Sequence, residues 1–269
     1  MSRRTTFRFL AVLAAFAAGS CAAGAADFTA RDVAHSLFQS KIGNPVDFSG
    51  RDLAGLDLAE LDFRGARLSG VDFLGADLSG AVLKGSDMTG ARLDRTTLTR
   101  TDFSEAILEK ASILRPSIYS TFTAAEANWN EAPKFVRARM AGAQLFGRFD
   151  YVDFKGADLK GAVFGSIDPR DENTSLARVG LFSGDFDDAN VEGADFTDSR
   201  LGFASFTNAK AAGARFVGAD LTRADFSGAD LTEADFTGAN LDEANFTNAK
   251  GFDTVKGLDR AQNADRLIR

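Results

Sequence analysis

The sequence predicts an all-β solenoid in which the chain turns four corners per coil, and three observations predict it. Every fifth residue from Phe48 to Ile118 is large and apolar, and a second such series runs from Leu181 to Phe246 with Ala211 as its small member. Two places before each large residue sits a mostly small one, with Asp usually between them, as in Ala76-Asp77-Leu78. The aromatic choice is equally one-sided: 25 Phe stand against two Tyr and one Trp.

A period of five fits neither straight element. On an α-helix, successive large residues would lie about 140° apart and leave no single apolar face. A straight strand puts the small and large residues on one side, but five is odd and the next unit would point outward. The chain must therefore turn a corner in every unit, and four units, about twenty residues, close a square coil that stacks on the next at about 4.8 Å. Gly50, Gly55, Gly65, Gly70, Gly75, Gly80, Gly85 and Gly90 fall at these corners, where positive φ suits glycine. Inside such a coil a Tyr hydroxyl or Trp N–H would need a buried partner, so Phe is the aromatic that fits.

Units such as Ala219-Asp220-Leu221-Thr222-Arg223 and Ala239-Asn240-Leu241-Asp242-Glu243 resemble the A(D/N)LXX signature of pentapeptide-repeat proteins, over residues 46–118 and about 143–248. The resemblance implies a right-handed quadrilateral β-helix, here of roughly eight coils with short helical caps and a length on the order of 40 Å. It also implies a non-enzymatic binding role. Relatives of this kind act as acidic DNA mimics in the DNA channel of a type II topoisomerase, and some dimerise through the C-terminal end.

Taken in order, residues 1–26 read as a signal peptide. Arg3, Arg4 and Arg8 precede the apolar run 9–18 and a small-residue tail, and ten apolar residues are too few for the roughly twenty that span a bilayer. Cleavage after Ala25 or Ala26 leaves no transmembrane segment in the mature chain. Ala18-Gly19-Ser20-Cys21 resembles a lipobox, which makes Cys21 a lipidation candidate, although Ala18 stands where Leu is usual. Ser2-Arg3-Arg4 leaves Sec and twin-arginine export both open. Residues 27–45 form an N-terminal cap: Thr29-Ala30-Arg31-Asp32 begins a helix whose Val33, Leu37 and Phe38 cover the first coil.

Residues 46–118 are the first repeat run, 119–142 an interrupting loop, 143–165 a short run, 166–180 a second loop and 181–250 the second run. In that second run Phe216 should stack on Phe236 and Phe226 on Phe246 from opposite faces. Residues 251–269 read as a capping helix, with Leu258, Ala261 and Ile268 on one face, and this cap is a candidate homodimer surface.

Function is constrained more by exclusion than by motif. A single Cys rules out an intramolecular disulfide, a single His rules out a two-His zinc site, and no phosphate-binding glycine loop occurs. His35 in the cap reads as a packing or surface residue. The repeated Asp residues read as a solvated face rather than paired catalytic acids, and neither Asp168, Asp171, Glu172 and Asn173 nor Asp185, Asp187 and Asp188 has Ca²⁺-loop spacing. No cofactor is expected.

Net charge is −7, becoming −10 without the three leader arginines, which argues against nucleic-acid binding. It also falls short of the roughly two dozen charges that 40 Å of duplex carries. The reading is an exported scaffold that binds an unidentified protein in the periplasm or cell envelope. A cytosolic topoisomerase-binding mimic is the alternative, and a β-helical polysaccharide-cleaving enzyme is a third class. Tyr119, Phe122, Trp129, Phe135, Arg137 and Tyr151, in or just after the first interruption, are the partner-contact candidates. The same side chains would equally serve to patch a phase slip in the coil.

Overall fold

The computed structural model of the protein describes residues 28–40, 44–118, 130–164, 180–181 and 183–269. The expected leader with Cys21 lies outside them, as do Tyr119, Phe122, Trp129 and the stretch 165–179.

One helix, α1 (Ala30–Gln39), precedes the coils. The Thr29 side chain accepts the Asp32 N–H, and the Asp32 carboxylate accepts the Thr29 N–H, so two donors that the helix leaves open are satisfied reciprocally. Val33 is fully buried and Leu37 partly so, while Phe28 stands edge-on to Phe48 at 5.6 Å. Phe38 does not cover the first coil: it is 89% exposed. Val33 and Leu37 are four apart and share a helix face, and the next residue lies about 100° further round.

From Asp47 the chain winds as a square coil held by parallel pairing across layers. On its first face Asp47 pairs with Arg67, and the series continues through Asp87, Ile107, Arg139, Asp158, Asn190, Lys210 and Asp230 to Lys250. That makes ten layers where roughly eight were expected, and nine steps of about 4.8 Å give a rod about 43 Å long. Each step is tied by paired backbone bonds: Phe48 N–H donates to the Arg67 carbonyl and Arg67 N–H to the Val46 carbonyl, both at 2.9 Å. On the second face the pairing widens into a three-stranded parallel sheet of β1 (Ser112–Leu114), β2 (Gln144–Phe146) and β3 (Val163–Phe164).

The regular five-residue corners are type II-like turns. Ala76 N–H donates to the Phe73 carbonyl at 2.8 Å, spanning Gly75 at φ 68°. Glu60, Arg95 and Lys110 hold φ of 58–59° at the same position, a conformation that costs an L-residue about 1–2 kcal/mol. Lateral hydrogen bonding across four faces over-determines the corner enough to impose it.

Every large residue of both runs is buried in one continuous core. Phe103, Phe135, Phe154, Phe186, Phe206, Phe226 and Phe246 stack along the fourth face with centroids 4.6–5.2 Å apart. Phe164, Phe196, Phe216 and Phe236 stack along the second. The two ladders face each other edge-on across the axis, as Phe216 and Phe226 do at 5.3 Å, and the expected ladders of the second run are present. Where Ser or Thr takes the small position its hydroxyl donates to a main-chain carbonyl, as Ser86 does to Leu83 and Thr101 to Leu78.

The interruptions are narrower than 119–142 and 166–180. Lys134 already pairs with Asp102 and Asp153, and Gly180 with Arg148 and Arg200. Ala132, Phe135, Ala138 and Met140 are buried coil residues, so the middle run begins near 132 rather than 143, which accounts for much of the extra rod. One four-residue unit follows. Leu145 and Phe149 both point inward, and the tight corner between them is made at Gly147, where φ is 144° and an added Cβ would sit 3.0 Å from Pro116 Cδ.

The C-terminal cap is not an α-helix. Residues 251–269 continue the coil in six-residue units with short 3-10 turns at Phe252–Thr254, Leu258–Arg260 and Ala264–Arg266. Lys256 pairs with Asp235, Gln262 with Asn240 and Ile268 with Asn245, so the offset from the layer below grows by one residue at each corner. The three-residue apolar spacing of this segment fits a helix face and a six-residue coil unit alike. Gly251, Gly257 and Asn263 take the positive-φ corners, and Phe252 packs edge-on to Phe246 at 5.3 Å.

Two stability measurements check this account. Phe206→Tyr buries a hydroxyl in an apolar lumen and should cost about 1–3 kcal/mol by chemical denaturation, whereas Phe203→Tyr, at an exposed corner, should stay within about 0.5 kcal/mol. Gly75→Ala meets open space and should lose only about 1 kcal/mol from its φ. Gly257→Ala would put Cβ 2.5 Å from Thr237 Cα and should lose clearly more.

Candidate functional site

The outward residue of most units is occupied structurally. Asp72, Asp77, Asp102, Asp225 and Asp235 each accept the N–H two residues on at 2.8–2.9 Å, bracing the corner that follows. Asn replaces Asp without loss, since Asn245 Oδ1 accepts the Thr247 N–H while its amide donates to Asp225 one layer away. Other charges pair down the rod, including Arg67 with Asp47, Arg139 with Glu109, and Lys160 with Glu192. His35 lies on α1 with its Nε2 2.8 Å from Gln39 Nε2, far from any nucleophile arrangement. No group of three His, Cys, Asp or Glu side chains converges among the described residues.

The partner-contact candidates do not form one site. Phe135 is fully buried between Phe103 and Phe154, so it is a core residue; the period of five resumes there after an insertion of twelve residues, which hid its register. Arg137 sits exposed at the corner after the fourth face and donates to Glu105 at 2.7 Å. That guanidinium, with Lys84, holds the Glu105 carboxyl below its usual range. Tyr151 lies at a different corner, after the third face, half-buried against the core with φ 61°. Tyr119, Phe122 and Trp129 lie outside the described residues.

Both interruptions nevertheless open beside the third face: the first follows Ile118 on that face, and the second ends at Gly180 on it. Between these points Arg148 Nε donates to Asp150 Oδ2 at 2.7 Å, with side chains only 27% and 13% exposed. Two layers beyond Tyr151 on the same corner column stands Phe203, 46% exposed at φ 59°. The Arg223 guanidinium lies 5.6 Å from its ring centre and is held from behind by Glu243 at 2.6 Å. The result is an outward column, Tyr151, Phe203 and Arg223, of the side-chain types that dominate protein contacts. Phe203 was legible in the sequence as a Phe two places after a large position, where glycine or a polar residue is usual.

Asp185 is the one described carboxyl pushed above its ordinary value. Burial is the main cause, and the charges of Asp187 and Asp153 add to it against the Asp187 N–H bond. The folded state then favours the protonated form, so ionisation weakens the fold as pH rises above about 3.8. Asp185→Asn should therefore raise the melting temperature at neutral pH, by a margin that vanishes as pH falls below that value. Its new amide can donate to Asp153 as Asn190 donates to Asp158 at 3.0 Å.

The family model for pentapeptide repeats matches in eight copies, over residues 47–85, 76–113, 185–223, 199–238 and 219–250. Among solved structures, HetL from the cyanobacterium Nostoc sp. strain PCC 7120, a pentapeptide repeat protein involved in heterocyst differentiation regulation, is similar with a TM-score of 0.62 at 23% identity, covering 90% of this chain and 100% of its own. A pentapeptide repeat protein of the Arabidopsis thaliana thylakoid lumen is 28% identical over 50% of this chain and 78% of its own, with a TM-score of 0.26. QnrB1, a plasmid-mediated fluoroquinolone resistance protein, is 19% identical over 82% and 93%, with a TM-score of 0.29. No curated protein sequence matches. Among the described residues no helix is long and apolar enough to cross a membrane. The repeat register, the square coil and the family-model match place the chain in the pentapeptide-repeat family, and the likeness to HetL agrees with that family's right-handed quadrilateral β-helix.

Proposed function

We propose that the protein is a non-enzymatic scaffold, exported to the periplasm or cell envelope, that binds a protein partner through the side of its rod. The observation that carries this reading is the corner column of half-buried Tyr151, Ser183, exposed Phe203 and exposed Arg223, with the Arg223 guanidinium over the Phe203 ring. Carboxylates committed to bracing corners are poor general acids or bases, which supports a binding role over catalysis. The arginine-rich leader with its short apolar run supports export. Ion pairs along the rod, such as Arg92 with Asp72 and Arg215 with Asp195, break the run of negative charge that a DNA mimic needs.

Fractionation of cells with intact-mass analysis should find the protein outside the cytoplasm and lacking its first 25 or 26 residues. Affinity capture with the unaltered protein and with a Tyr151→Ser, Phe203→Glu variant should lose a common partner in the variant. Equal recovery of every partner would sink the column as the contact surface. An unprocessed cytosolic protein would instead favour topoisomerase binding.

A further inference from the structure

The second face carries a self-complementary pattern centred on β2. Ser112, Gln144 and Val163, the outward residues of β1, β2 and β3, are uncharged over three consecutive layers. Beside them Leu114 and Phe146 are half-buried, and Val163 is 37% exposed. An uncharged strip within a charged surface is the composition of an interface core.

Apart from Arg115 at the corner beside β1, charges resume two layers to either side of β2. Two layers before β2 stand Arg92 and, at the corner, Arg95; two layers after it stand Asp195 and Asp198 in the same columns. Three layers before β2 stand Asp72 in the Arg92 column and Leu74 in the column of Leu114 and Phe146, and three layers after it stand Arg215 and Val217 in those same two columns. Within the chain Arg92 Nη1 reaches Asp72 Oδ2 at 3.2 Å and Arg215 Nε lies 3.8 Å from Asp195 Oδ2. The first pair has its positive end toward β2, and the second its negative end.

We propose that this face packs against the same face of a second copy, antiparallel, about a twofold axis running along β2. Such an axis keeps the columns aligned and reverses the layer order. Arg92 then meets Asp195 of the second copy, Arg95 meets Asp198, Asp72 meets Arg215 and Leu74 meets Val217. Gln144 and Phe146 meet their own counterparts at the centre. Parallel packing of the same faces would set Arg92 on Arg92 and Asp195 on Asp195, so the charges select the antiparallel arrangement. The matched strip spans six layer steps, about 29 Å. This goes beyond the partner reading above and uses a different face.

Sedimentation velocity of the purified protein across a concentration series tests it. The expected result is a reversible dimer that weakens as salt rises. Gln144→Arg, an exposed position where the new charges would meet on the axis, should weaken the dimer about tenfold or more. Arg95→Asp and Asp198→Arg should each weaken it, and the two together should restore it because the reversed charges face one another across the axis. Melting temperatures of the variants verify that each is folded. A protein that stays monomeric throughout overturns the proposal. So does a dimer indifferent to Gln144→Arg, or one lost instead on Ile268→Asp, which would place the contact at the last coil.

Discussion

One constraint governs this molecule: at every corner a large apolar side chain must return to the axis while the backbone on each face stays in register with the layers above and below. Five residues are enough to do both, with a small residue and a large one turned inward, an Asp or its equivalent outward between them, and two residues to make the turn. The buried pair supplies the hydrophobic gain, and the lateral hydrogen bonds satisfy the main chain that burial would otherwise leave unpaired. Because every layer is clamped on four sides, single positions can be forced into unfavourable geometry, as Glu60 and Lys110 are at positive φ. The outward Asp also has a structural duty, since its carboxylate accepts the next corner's N–H and shapes the turn from the solvent side.

The same constraint explains how the rod absorbs irregularity. Across each interruption the layer spacing is 32 residues instead of 20, as from Asp102 to Lys134 and from Asp153 to Asp185, yet the stack of Phe103, Phe135, Phe154 and Phe186 passes through both without a gap. Extra chain is admitted at a corner, where it leaves from one face and returns on the next. A missing residue is harder to accommodate, and the four-residue unit between Leu145 and Phe149 needs Gly147 at a φ of 144° beneath Pro116. In the last layer three six-residue units lengthen the corners instead, and their apolar turn residues pack against the end of the core.

Much of this was legible from spacing alone. Phe48 to Ile118 and Leu181 to Phe246 lie where a strict period of five puts them, and the stacking of Phe216 on Phe236 follows from four units per coil. What escaped were places where the period shifts phase. Phe135 and Met140 resume the register after twelve additional residues, so counting forward from Ile118 misses them, and Phe135 looks like a loop aromatic until Phe103 is seen stacked on it. The C-terminal segment escaped for a different reason: apolar residues three apart satisfy a helix and a six-residue coil equally, and only lateral pairing of Lys256, Gln262 and Ile268 decides between them. Of the candidate contact residues, Tyr151 falls at a corner with part of its side chain outward, whereas Phe135 falls at a large position and is a core residue.

That division suggests where to look for function in a chain so uniform. Inward positions are chosen by volume and corner positions by tolerance of positive φ, so neither carries much information about what the rod meets. The informative residues are those that depart from the local rule without helping the fold. Phe203 places an aromatic ring at an exposed corner, where glycine or asparagine would cost less backbone strain and less exposed apolar surface. Ser112, Gln144 and Val163 give up the carboxylate that braces the corner elsewhere, over the three layers where the second face has its longest strands. Neither departure improves packing in the core, and each instead changes what the outside of the rod offers to another surface. In a repeat this strict, outward departures of this kind are the positions at which binding can be read.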